Sequence, residues 1–329
     1  MAKQREGSAV KKGVALAVDL IARGGLLFFL ILIVIFFTLR SPYFFGVQNF
    51  LNILKSVSVI GITAAGIMLI IISGGIDLST GAQMAFIGCF IAEILLENQS
   101  IPWWLGMILS CLVGMAVGCV NGLLVTKAGF VPFIATLSTM NIIRGSAYII
   151  SNAQSVYVSE VHFSWMGTGK IGAIPVPVVL FLLAFVVTWA VLKFTVFGRY
   201  VYSIGGNPEA SRLAGISVQN ITLSLYVITG FLASISGMVL LGMSGSSVPS
   251  AGETYGTDIV TAVLLGGASL KGGKGNIVST FIGVLTIGVM NNGMILLNIP
   301  QFWQIFAKGI LMLLAVALDR IREVRSMKG

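Results

Sequence analysis

The chain has 329 residues, of which 57% are hydrophobic and 9% charged, with a mean hydropathy of +1.00. Soluble domains carry about 25% charged residues, so a water-soluble globule is excluded and an all-α polytopic membrane protein is expected. The net charge of +9 lies mainly in short loops and near the termini. That distribution fits the positive-inside rule, and without a basic face interleaved with aromatics it argues against nucleic-acid binding.

In chain order, a basic N-terminal stretch precedes an apolar run at residues 24–38, with no small-residue cleavage site after it. This reads as a retained first span rather than a removed signal peptide, with Asp19 and Arg23 spaced to pair on its entry turn. A helical span needs about 20 mainly apolar residues. About ten candidates are centred near residues 31, 64, 87, 115, 140, 183, 232, 263, 286 and 310. With the N-terminus inside and the spans alternating, 15 of the 20 Lys and Arg residues fall on the inner side. The outer side receives Arg40, Lys55 and Lys170, with Arg144 near its edge and Lys308 late in the last span.

The expectation is therefore a single transmembrane domain over residues 1–329 with about ten transmembrane helices and both termini cytoplasmic. Residues 1–23 and 319–329 would be cytoplasmic tails and 193–220 a cytoplasmic loop. Residues 151–173 and 244–256 read as outer loops, and Trp103 and Trp104 as interface anchors. An Asn-x-Ser triplet begins at Asn98. Cys89, Cys111 and Cys119 lie inside apolar runs and read as packing residues. His162, the only histidine, has no partners for a metal site or a catalytic triad.

Several stretches break the apolar pattern. GGIDLSTG at 74–81 places Asp77 in or beside the membrane, either in a re-entrant element lining a pathway or as a cap in a tight inner loop. GGIDLSTGAQMAF loosely resembles YGTDIVTAVLLGG at 255–267, which suggests an internal duplication of the kind found in transporters. Gly114, Gly118 and Gly122 form a ladder on one helix face, suited to close helix packing. Asn121 beside it reads as a pathway residue or an interhelical hydrogen bond. Thr136, Ser138, Asn141 and Arg144 come near one helix face, and a hydrated cavity is favoured there over helix–helix bonding with a snorkelling arginine. GGASLKGGKG at 266–275 lacks the spacing of a phosphate-binding loop. Asn291 and Asn292, with Asn298, Gln301 and Gln304 nearby, suit an uncharged polyhydroxy solute.

GRYVYSIGGNPEASRLAGI at 198–216 is polar and lies between two apolar runs. Asn207 is a suitable N-cap, Pro208 fits the first helical position, Glu209 complements the helix dipole and Gly215 suits a left-handed C′ residue. A short capped helix over 208–214 follows, too short to be stable alone and so expected to dock on another protein.

Together GGIDLSTG, the Asn121-Gly122 pair, VPFIATLSTMNIIRG at 131–145, the 198–216 stretch and GTDIVTAVLLGGASLKGGKG at 256–275 resemble the permease subunit of bacterial ABC sugar importers of the ribose type. The usual pattern has small or aliphatic residues at the positions of Gln83 and Met84. The resemblance implies a permease in the bacterial inner membrane that moves a small neutral sugar, ribose or a similar monosaccharide, by alternating access. It implies a homodimer, a cytoplasmic ABC ATPase carrying ATP and Mg, and an extracytoplasmic solute-binding protein. It assigns coupling to the ATPase to Gly205, Gly206, Asn207, Pro208, Glu209, Ala210, Arg212, Leu213 and Gly215. The substrate pathway is expected at Asp77, Asn121, Thr136, Ser138, Asn141, Arg144, Asn291 and Asn292, with no catalytic residue, metal or cofactor on this chain. Autoinducer-2, galactose, xylose, an inositol or a branched-chain amino acid are alternative solutes. A channel or an ion-coupled secondary transporter, and a non-transporting membrane scaffold, are the readings from other classes.

Overall fold

The computed structural model describes residues 25–97, 102–158 and 161–326. The 1–23 tail with its Asp19–Arg23 pair, the Asn98 triplet and Lys328 lie outside them. The described chain runs through α1 (Gly25–Arg40), α2 (Val47–Ile72), α3 (Thr80–Glu97), α4 (Trp103–Thr126), α5 (Pro132–Ile150), β1 (Val156–Tyr157), α6 (Val161–Thr168), β2 (Lys170–Ile171), β3 (Ile174–Pro175) and α7 (Val176–Phe194). It continues through α8 (Val196–Gly206), α9 (Pro208–Leu213), α10 (Val218–Ser244), β4 (Ser246–Ser247), α11 (Tyr255–Leu265), α12 (Ile277–Leu296) and α13 (Gln301–Ser326). Each expected span centre falls in one of these helices. Six of them, α2, α4, α5, α7, α10 and α12, are long and apolar enough to cross a membrane.

The differences from expectation have physical causes. α11 has only 11 residues, about 16 Å at 1.5 Å per residue, against a hydrocarbon core of about 30 Å. It is half a span, with its N-terminus inside the bundle. The 151–173 stretch is not plain loop. It contains β1, α6 and β2, with β2 forming a short hairpin to β3 just beyond it, and Val156↔Ser247 and Tyr157↔Ser246 pair β1 with β4. The glycine-punctuated residues 198–206 form most of α8, because Phe197, Val201 and Ile204 recur at helical spacing and Val201 and Ile204 are buried.

From Val57 to Ile72 α2 is buried on all sides and accordingly central. It is surrounded by α7, α10, α11 and α12. The closest pair is α4 with α10, and the glycine ladder is the reason. A methyl group on Gly118 would overlap Tyr226 O, one on Gly114 would overlap Ser234 Oγ, and one on Gly230 would overlap Gly114 O. Where lipid is as apolar as the side chains, such backbone approach supplies the packing energy. Gln83, buried on α3, staples this pair by donating to Gly114 O (3.2 Å) and Gly230 O (2.8 Å).

The packing has two matching sets: α3 on α5 and α11 on α13, α10 on α4 and α2 on α12. The first turns of α3 and α11 meet between the sets, with Gly81 packed on the backbone of Gly252 and Gly256.

Candidate functional site

α8 and α9 lie at one end of the bundle, with the C-terminal ends of α2 and α13 and the 73–79 and 266–276 connections. Thr195 caps α8, its Oγ1 accepting from Gly198 N at 3.2 Å. The chain turns at Asn207, whose Oδ1 accepts from Ala210 N at 3.0 Å, and Pro208 opens α9. The helix closes as the sequence suggests. Gly215 has φ +83°, its N–H donates to Arg212 O, and Ile216 N donates to Ser211 O, both at 3.0 Å. This is a Schellman C-cap. Glu209 and Arg212 pair across the exposed surface at 2.7 Å, an arrangement worth little in water. Ser211 faces inward and shares a hydrogen bond with Ser203 of α8 (2.8 Å). The rest of α9 is exposed, with Leu213 81% accessible. This helix of six residues is thus capped at both ends and presents a leucine to solvent.

Behind α9, four backbone segments meet without side chains between them. A methyl group on Gly205 would overlap Ile72 O at the end of α2 and the amide of Gly273. That amide donates to Ile72 O at 2.8 Å. Gly272, at φ +86°, packs on Gly205 and on Gly74 N. Tyr202 of α8 donates its hydroxyl to Gly275 O (2.9 Å), and burial pushes the Tyr202 phenol above its ordinary value, so it stays a donor. α8, the end of α2, the 73–79 connection and the 266–276 connection thus form one close-packed junction.

Asp77 is 2% exposed. Its Oδ1 accepts from Ser79 N (2.8 Å) and Ser79 Oγ (2.6 Å), and Asn121 Nδ2 donates to Ser79 Oγ (2.9 Å). Asn121 Oδ1 and Thr80 Oγ1 are buried without a hydrogen-bond partner. Tyr226 donates to Ile76 O at 3.1 Å, fixing the loop against α10. Asp77 therefore closes a turn before α3 while buried in the bundle.

The other expected pathway residues do not join this cluster. Thr136 is buried and bonds back to Pro132 O (2.9 Å), on the side of α5 opposite Ser138 and Asn141, which are exposed. The stripe is thus not one face, because the step from 136 to 138 crosses the helix. Arg144 Nη1 donates to Pro249 O (2.6 Å) and Ala251 O (2.7 Å), clamping the loop before α11. Asn292 and Asn49 form a reciprocal amide pair at 2.9 and 3.0 Å, and Asn49 also donates to Phe44 O. Asn291 Oδ1 is buried without a partner. Replacing Asn292 with leucine should destabilise the protein by roughly 1–3 kcal/mol, the cost of a stranded buried polar group. The Asn49→Leu/Asn292→Leu pair should recover most of that loss in thermal unfolding of the detergent-solubilised chain.

Two features had no reading from sequence. Gln83 stood out only as unusual for its position. The ion pair of Lys308 with Asp258 (2.8 Å; 15% and 5% exposed) joins α13 to α11. A charge inside the bilayer costs enough that it demands a partner, and this was the signal available.

Comparison with known proteins places the chain. Residues 49–316 match a family model described as branched-chain amino acid transport system / permease component. The ribose import permease RbsC of Bacillus subtilis is 41% identical over 88% of this chain and 90% of its own length. Escherichia coli K12 RbsC is 38% identical over 92% and 95%. The D-allose transport system permease AlsC of the same strain is 37% identical over 88% and 89%. No solved structure matches the chain. A match over most of the chain, with relatives of this identity, means that the protein belongs to the family of branched-chain amino acid transport system permease components.

Proposed function

We propose that the chain is the membrane permease subunit of an ABC importer that carries ribose or a similar monosaccharide across the bacterial inner membrane. The observation that carries the coupling half of this reading is α9, an exposed, doubly capped helix tied by Ser211 and the glycine junction to the end of the central helix. A cytoplasmic ATPase subunit, holding ATP and Mg²⁺, seats α9. Its closure displaces α9, and Gly205 passes the displacement to α2 and to the loop bearing Asp77. Ten helical segments cross or enter the membrane, with both termini on the α9 side and the half-span α11 paired with α3 in an inverted duplication.

The solute is supported by the ribose and allose permeases among the relatives. Two copies of the chain enclose the path, and Ser138 and Asn141, polar on an exposed face of a spanning helix, line it because lipid would not satisfy them. An extracytoplasmic binding protein docks on the opposite end and selects the sugar.

The test of coupling is the double variant Glu209→Lys/Leu213→Glu. The ATPase subunit should no longer co-purify, and labelled ribose uptake should fall to background while the amount of permease in the membrane stays unchanged. Wild-type uptake by that variant would remove α9 from the mechanism. Ribose accumulation in vesicles driven by a proton gradient, without ATP or the ATPase, would overturn the ABC reading itself.

A further inference from the structure

On the outer face of the bundle, at the α8–α9 end, two grooves of about 280 Å³ each run into one another. The first is a slot between α7 and α12 walled by Leu182, Phe185, Val186 and Phe281. The second is a polar basin formed by Lys193, Tyr202, Gly275 and Asn276. They share Trp189, Ile277 and Val278, so an apolar channel opens directly onto a basic one. No acidic side chain lines either part.

The basin is built rather than incidental. Tyr202 is fixed by its bond to Gly275 O, and Asn276 caps α12, accepting from Val278 N at 2.8 Å. The Lys193 ammonium lies over the Trp189 ring at 4.9 Å and the Phe194 ring at 5.3 Å. These contacts hold the cation at the mouth of the slot. Lys274, exposed, sits next to Gly275.

We propose that this channel is a binding site for an anionic phospholipid, with an acyl chain in the α7–α12 slot and the headgroup phosphate on Lys193. A soluble anion would have no use for the slot, and a zwitterionic lipid would gain nothing net from an unopposed cation. Basic pockets beside membrane helices take anionic headgroups on these grounds. Because Tyr202 belongs to α8, the bound headgroup braces the element on which α9 is mounted. The site does not depend on which solute the permease carries.

The experiment is intact-protein mass spectrometry of the full-length, delipidated permease, offered phosphatidylglycerol or phosphatidylcholine with matched acyl chains. The wild type should retain phosphatidylglycerol in preference. Lys193→Gln should cut that preference about fivefold, the factor corresponding to about 1 kcal/mol for one basic residue near anionic lipid. Val278→Trp, which fills the slot, should abolish retention of both lipids. Lys193 and Val278 are both exposed, so neither change disturbs the core. Equal retention of the two lipids by the wild type, or an unchanged preference in Lys193→Gln, would overturn the proposal. So would displacement of the lipid by glycerophosphate alone, which would mark a site for a free anion. A change of oligomeric state in Val278→Trp would assign the slot to a second copy of the chain and overturn it as well.

Discussion

Gly205→Ala should abolish uptake while Gly206→Ala leaves it close to wild type, although the two residues are adjacent and both end α8. A methyl group on Gly205 would be driven into Ile72 O and the amide of Gly273, both backbone atoms that cannot rotate away. At Gly206 nothing lies within 4 Å of the added carbon. Overpacking of a close contact costs about 1–3 kcal/mol, and here the strain falls on the Gly273 N–H to Ile72 O bond of 2.8 Å. Losing that bond opens the junction at which Gly205 of α8 packs on the end of α2. The permease should still insert and still bind its ATPase subunit, because α9, its caps and its exposed face are untouched. Stimulated ATP hydrolysis without sugar accumulation is the expected signature, read from reconstituted vesicles by measuring both. If Gly205→Ala transports normally, the glycine junction is mere packing and the displacement of α9 reaches the bundle by another route, of which the Ser203–Ser211 bond is the nearest candidate.

What could be read from the sequence divides along the range of the interactions involved. The caps of α9 are local. Asn207, Pro208 and Gly215 act on backbone groups within a few residues, and each holds the position that its chemistry indicates. The span centres follow from hydropathy, which is also a short-window property, and the ladder of Gly114, Gly118 and Gly122 reveals close packing because small size at helical spacing has few other uses. α8 was legible in principle from Phe197, Val201 and Ile204, but its glycines and polar residues pointed to a loop. The pathway residues show the limit. Polarity in an apolar run says that a partner exists, not which one. Arg144 finds loop carbonyls, Asn292 finds an asparagine far away in the chain, and Asp77 finds Ser79 and Asn121. The meeting of Gly205 with Gly272 and Gly273 joins segments that no periodicity connects. α11 reads as a full span because composition does not reveal that its N-terminus stops inside the bundle against Gly81.

Lys308→Ala should be the most destabilising single change in the membrane part of the chain, and restoring neutrality should reverse it. Lys308 Nζ lies 2.8 Å from Asp258 Oδ2, with side chains 15% and 5% exposed. The lysine projects from α13 and the aspartate from the first turn of α11. The aspartate gains from the positive end of its helix, but it is buried and its one charged partner in this contact is Lys308. Removing the lysine strands a carboxylate in a low-dielectric interior, at a cost of about 3–5 kcal/mol. Replacing both partners with apolar residues of similar volume is often neutral or stabilising, so Asp258→Leu/Lys308→Met should regain the melting temperature that Lys308→Ala loses. Thermal unfolding in one detergent measures all three. The same variants separate two mechanisms. In an ATP-driven permease the pair holds α13 against α11, and the apolar double variant should transport at a substantial fraction of the wild-type rate. In an ion-coupled carrier the pair would be the obvious proton-handling group, and the double variant would be stable, folded and inactive.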